Sequence, residues 1–285
     1  MDWFRVLALL IALYVCLNLA AIWFAPKLIF PAPEPSYALA DAPFQRLEYA
    51  DGQHFLLTLQ APTQGEAIRP VPGAEGRVIL YLHGNAADLG HVQSRIDALK
   101  QYGFTVCAPE YPGYGLSDGR PTEAGVFAVA DQTYRFLRQQ GYEPEQIVIW
   151  GRSLGSGPAS YLASRQKCDR LILETPFAST FRVKTRIRLF FGDMFDNLGR
   201  AADITCPTLV LHGTDDEIVP YGQARKLAER LGGPVETYWV EGAGHNDLPD
   251  VAGALYWETT LGFAAGHPDA PIPVAQADAL PTIED

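Results

Sequence analysis

The stretch Ile147-Val148-Ile149-Trp150-Gly151-Arg152-Ser153-Leu154-Gly155-Ser156-Gly157-Pro158 decides the fold. Its first four residues are a short apolar run, and residues 154–166 carry a helical pattern, so 151–155 is a turn from strand to helix. The spacing is G-x-S-x-G. A turn this tight crowds its own backbone, and glycine at 151 and 155 avoids the Cβ collisions any other residue would bring. Ser153 is then held exposed at a helix start, where the dipole favours developing negative charge.

Outward from this turn the chain alternates. Apolar runs end in turn signals at 77–82, 104–108, 147–150, 170–173, 208–211 and 235–240, with helical patterns near 89–101, 122–140, 154–166, 221–231 and 247–263. In 122–140, Val126, Val129, Ala130, Thr133, Phe136 and Leu137 share one face. Continuously apolar strands separated by helices predict an α/β domain: a mostly parallel, twisted sheet with helices on both faces. Residues 44–60 predict a hairpin around Asp51-Gly52. The domain spans 44–265, with an insertion at about 175–205 as a short cap. In such sheets ligands bind beyond the carboxyl ends of the strands, so chemistry is sought just after each apolar run.

A serine is a weak nucleophile without a base, and the base needs an orienting acid. After strand 208–211 comes His212-Gly213-Thr214-Asp215-Asp216-Glu217-Ile218-Val219-Pro220. The pattern D-x-x-V-P selects Asp216 as the acid, with Asp215 as the runner-up. After strand 235–240 comes Glu241-Gly242-Ala243-Gly244-His245-Asn246-Asp247. Of the six histidines, only His245 follows both Ser153 and Asp216 and closes a strand, so it is the expected base. His83 and His212 read as structural turn residues, while His54, His91 and His267 fall in the hairpin, the first helix and the tail. The oxyanion donors are expected to be the backbone N–H of Leu154 and that of Asn85, with Ala86 second.

Tyr81-Leu82-His83-Gly84-Asn85-Ala86, Tyr111-Pro112-Gly113-Tyr114-Gly115, the serine turn and the run 239–247 (WVEGAGHND) resemble the α/β-hydrolase-domain membrane serine hydrolases. More narrowly, they resemble the protein depalmitoylase branch of the serine aminopeptidase-like hydrolases, over about residues 75–262. The resemblance implies the α/β-hydrolase fold and a serine thioesterase or carboxylesterase acting on acyl chains near a membrane. Members of that branch attach through a cysteine-rich, acylated N-terminus, whereas here an apolar span carries Cys16 alone.

That span is residues 6–25 (VLALLIALYVCLNLAAIWFA), whose one polar side chain is Asn18. Twenty residues at about 1.5 Å each match a hydrocarbon core of about 30 Å, and Trp3, Phe4, Trp23 and Phe24 flank it as interfacial aromatics do. A cleaved signal peptide is the competing reading, but no small-x-small site follows the run. The expectation is an N-terminal transmembrane anchor over 1–27, then a proline-rich linker over 28–43. Arg5 and the terminal amine, against Lys27, tip the topology toward a non-cytoplasmic catalytic domain. Residues 266–285 are acidic, without lysine or arginine, and read as a disordered tail.

The 285 residues carry 33 acidic and 22 basic side chains, a net charge of −11 that lacks the basic face a nucleic-acid binder needs. No metal or organic cofactor is implied. The expected partners are an acyl ester or thioester substrate and membrane lipid, and the oligomeric state is left open. Two other functions compete: an aminopeptidase-like enzyme, and a catalytically inactive hydrolase fold that only binds. In the cap, Arg182, Lys184, Arg186 and Arg188 interleave with apolar residues, a pattern for meeting anionic headgroups or for ordinary amphipathic packing. Cys168 and Cys206 precede neighbouring strands; either they bond in an oxidising compartment or they stay free and half-buried.

Overall fold

The computed structural model describes residues 3–38, 43–48, 52–62, 70–185 and 191–267. Eight strands, β1 (Phe44–Glu48), β2 (His54–Gln60), β3 (Val78–Leu82), β4 (Thr105–Pro109), β5 (Ile147–Arg152), β6 (Arg170–Glu174), β7 (Thr208–Gly213) and β8 (Val235–Val240), form one sheet in the order β1-β2-β4-β3-β5-β6-β7-β8. Strands β3 to β8 pair in parallel, while β2 runs antiparallel to β1 and β4. In the β1–β2 hairpin Glu48 opposes His54; Asp51 of the expected turn lies outside the described residues.

Every residue of β3, β5 and β7 is buried because helices cover both faces. Alternation along β5 divides the core: Ile147 and Ile149 belong to one cluster, Val148 and Trp150 to the other. The first cluster takes in α3 (Glu123–Gln139), α4 (Ser156–Ala163) and α7 (Tyr221–Ala228). The second takes in α2 (Gln93–Gln101), α8 (Leu248–Ala252) and α9 (Ala254–Ala265). The six α3 residues expected on one face are all buried, and Thr122 caps the helix by accepting the Gly125 N–H.

Two helical runs differ from expectation. The run at 154–166 opens as a 3-10 turn at Ser153–Gly155 and ends at Ala163. The run at 247–263 is broken by Gly253, whose φ of 55° no helix allows.

An N-terminal helix, α1 (Trp3–Ile29), is long and apolar enough to cross a membrane. Over its first half it has few protein neighbours: Trp3, Phe4 and Leu9 are 71–81% exposed. Its last turns lie against the domain. The proline-rich residues that follow are also docked. Phe30 is buried beside Phe195, the Ser36 N–H and hydroxyl both donate to the Asp88 carboxylate, and the Tyr37 hydroxyl donates to Glu110 Oε2 at 3.0 Å. At the other end Gly266, at φ 85°, caps α9, and residues 268–285 of the acidic tail lie outside the described residues.

Candidate active site

The serine turn is as crowded as its glycines imply. A Cβ at Gly151 would run into Gly155 O and Ala159 Cβ, and one at Gly155 into Leu82 O and His83 O. Ser153 itself sits at φ 50°, a conformation that costs a non-glycine residue roughly 1–3 kcal/mol and that the packed turn imposes. From this bend the Ser153 side chain reaches the loop after β8.

The loops after β7 and β8 bring the two partners to it. His245 Nε2 lies 2.8 Å from Ser153 Oγ, and His245 Nδ1 lies 2.7 Å from Asp216 Oδ2. With the proton on Nδ1, the ring donates to the carboxylate and accepts the serine hydroxyl. Asp216 Oδ1 accepts the backbone N–H groups of Ile218 and Val219 at 2.8 and 2.7 Å, so the V-P end of the motif forms the carboxylate's own turn. Burial raises the Asp216 carboxyl, but the bonds from His212, His245 and the Val219 N–H outweigh it and hold the group well below the usual carboxylate range. Asp215, the runner-up, is exposed and points elsewhere, with the Thr214 hydroxyl as its side-chain donor.

Three contributors were not picked out from the sequence. His212 is more than a turn residue: its Nε2 lies 2.9 Å from Val219 O and 3.1 Å from Asp216 Oδ2, so it braces the acid. Their i, i+4 spacing was the available signal. Arg152 Nη2 donates to Asn246 Oδ1 at 3.0 Å, joining the residue before the serine to the residue after the histidine. Arg152 also lies 3.5 Å from buried Glu174, which accepts from Trp150 Nε1 and the Arg95 guanidinium. A buried charge cluster of this kind fixes the end of β5, and with it the residue next to His245, because losing one partner strands the others. His83, by contrast, is structural: it tilts over Tyr111 with centroids 4.2 Å apart, and its Nε2 is 3.1 Å from Glu110.

Ser153 and His245 open into a cavity of about 740 Å³. Gly84, Asn85, Ala86 and Leu154 line it beside the serine, where the expected oxyanion donors belong. The Asn85 side chain donates to Ile29 O at 3.0 Å. The cap arches over this space. Its α5 (Arg182–Thr185) contributes Val183, Lys184 and Thr185 to the lining. Asp193 ties the cap together by accepting from Ser179 Oγ, Thr180 Oγ1 and the Phe181 N–H. Phe195 is fully buried in the domain core, and Phe191 is exposed. Residues 186–190, with Arg186 and Arg188, lie outside the described residues. Among the described residues no three histidine, cysteine or acidic side chains converge as a metal site would require.

A doubly covered parallel sheet with a serine on a strained strand–helix turn defines an α/β hydrolase. Known families agree: residues 77–198 match the alpha/beta hydrolase fold and residues 176–251 the serine aminopeptidase, S33, family. The chain is 35% identical to alpha/beta hydrolase domain-containing protein 17B of Homo sapiens over 246 residues, 79% of this chain and 85% of that protein. It is 34% identical to alpha/beta hydrolase domain-containing protein aho-3 of Caenorhabditis elegans over 244 residues, 78% of this chain and 72% of that one. Among solved structures, an esterase from Pyrococcus furiosus superposes with a TM-score of 0.64 at 15% identity, covering 82% of this chain and 96% of its own. An acetyl xylan esterase from Paenibacillus sp. R4 does so at 0.60 and 18%, covering 81% and 86%. The chain belongs to the alpha/beta hydrolase domain-containing protein 17 family, and it is a hydrolase.

Proposed function

We propose that this protein is a membrane-anchored serine hydrolase that cleaves an acyl ester or thioester through Ser153, His245 and Asp216. The observation that carries the reading is the unbroken hydrogen-bonded line from Asp216 through His245 to Ser153 Oγ on the floor of a largely apolar cavity. His245 Nε2 takes the hydroxyl proton as Ser153 Oγ attacks the acyl carbon. Asp216 stabilises the imidazolium that forms, and the N–H groups of Leu154 and Asn85 hold the oxyanion, each contributing about 2.7–4 kcal/mol. Collapse expels the alcohol or thiol with the proton from His245, leaving an acyl-enzyme that water hydrolyses by the same steps. The anchor is α1, and the lipid surface is the second partner.

The lining favours an acyl substrate over a peptide. Among the described residues its ionisable side chains are His91, Arg152, Lys184 and His245, a set with no acid to hold a substrate amine. The test is a panel of acyl esters, thioesters and amides run with the unaltered chain and with Ser153→Ala. Esters and thioesters should be hydrolysed and amides spared, and the substitution should lower kcat by about 10⁶-fold. Hydrolysis surviving in Ser153→Ala, or an unaltered chain that refuses a fluorophosphonate, would overturn the reading.

A further inference from the structure

The cavity over Ser153 has a wall that the sheet and its helices do not supply. Ala21, Phe24, Ala25, Leu28 and Ile29 of α1 line it. Their spacing of three and four residues is one face of a helix. Phe177, Phe181 and Val183 of the cap segment also line the cavity.

This wall is fixed in place by bonds on two sides. Near the floor, Ile29 O accepts from Asn85 Nδ2 at 3.0 Å, so the helix end is tied to the residue that lies beside Ser153. Farther back along α1, buried Asn18 accepts the Phe191 N–H at 2.7 Å, so the helix is also tied to the cap. Phe30, one residue past α1, is buried against Phe195. A helix that only tethered the domain to a bilayer would need none of these.

We infer that the last turns of α1 form the acyl-binding wall of the site, taking the chain of a long-chain fatty acyl ester or thioester whose carbonyl sits at Ser153. The inference rests on the acyl-hydrolase reading above and adds where the chain lies. From Ile29 beside the floor to Ala21 is eight residues, about 12 Å of helix at 1.5 Å each, a length that short acyl groups leave empty. Each methylene laid along such a wall is worth roughly a fourfold gain. The same turns leave Trp23, 61% exposed, outside the cavity. A chain moving from lipid into the cavity alongside α1 therefore need not cross water.

Two experiments on the full-length protein in lipid nanodiscs test this. In the first, esters from acetyl to hexadecanoyl are compared for the unaltered chain and Ala25→Trp, which fills the middle of the wall. The ratio of kcat/KM for hexadecanoyl over acetyl should fall by about tenfold or more, the equivalent of losing two methylene contacts; an unchanged ratio overturns the inference. The second needs no substitution and so does not depend on a variant folding. A long-chain alkyl fluorophosphonate with a photoreactive far end is attached to Ser153, irradiated, and its cross-links are mapped. Cross-links within 21–29 support the wall, and cross-links confined to the cap sink it while leaving the acyl-hydrolase reading intact. Failure of the unaltered chain to take the fluorophosphonate would instead bring down that reading, and the wall with it.

Discussion

Asp216 faces two imidazoles through Oδ2 and two backbone N–H groups through Oδ1, so its charge is matched on both sides of the carboxylate. Asp216→Asn removes the preference for the Nδ1–H tautomer of His245 and should lower kcat by about 10³–10⁴-fold. Asp215→Asn, at an exposed position, should stay near the unaltered rate; kcat measured on one ester separates the two. Because the folded carboxyl titrates below its unfolded value of about 3.9, Asp216 contributes stability that is full above about pH 4. That contribution is lost as pH falls further, so the stability gap to Asp216→Asn should be widest at neutral pH and narrow in acid. Denaturant unfolding at several pH values checks the sign. At this scale Ser153, Asp216 and His245 were legible as candidates because each follows a strand and carries a local pattern, and the structure brings the three side chains within hydrogen-bond distance. Asn246 and Arg152 were not legible, because their bond joins the end of β5 to the loop after β8, 94 positions apart, and leaves no periodic trace in either.

The strands were read within a residue or two because a buried parallel strand is a continuous apolar run with turn residues at its ends. The wall formed by α1 was not legible: a helix apolar all round shows no preferred face, so its sequence cannot say which side meets protein. The break at Gly253 was equally hidden, since glycine occurs inside helical patterns as well as at their ends. Where strand neighbours were inferred, the inference has a chemical consequence. Cys168 and Cys206 each sit two residues before paired strands β6 and β7, and their sulfurs lie 3.4 Å apart as free thiols. The Cys168 thiol donates to Cys206, which lowers the Cys206 thiol and favours its thiolate, the form that attacks disulfides. Treatment with the thiol oxidant diamide should therefore remove both from alkylation, read by mass spectrometry after denaturation. Continued alkylation of both would show that the sheet edge holds them apart.

For the whole molecule, the segment after α1 belongs energetically to the domain. A chain beginning at residue 39 loses Phe30 from the core together with the Asp88–Ser36 and Glu110–Tyr37 bonds. It should be less stable than a chain beginning at residue 30 by about 3 kcal/mol or more, measured by denaturant unfolding. The chain beginning at residue 30 also tests whether the cap meets lipid without α1. It should bind anionic vesicles, and Arg186→Glu with Arg188→Glu should weaken that binding by about 1 kcal/mol per residue without affecting neutral vesicles. Binding to neither vesicle type would mean that the cap does not meet lipid. The bond from Phe191 to Asn18 joins residues 173 positions apart, and this has a consequence for the order of assembly. A chain is made from its amino end, so α1 is complete while the cap has yet to be synthesised. During that interval the Asn18 amide can donate to Tyr14 O, as it does in the finished structure, but its oxygen waits for a donor that does not yet exist. An unpaired polar atom in an apolar setting is costly, so the newborn helix carries a pull that only the finished domain can satisfy. The tie between α1 and the cap can therefore form only once residue 191 has been made, and a chain still shorter than that holds Ser153 with α1 not yet fastened to the cap.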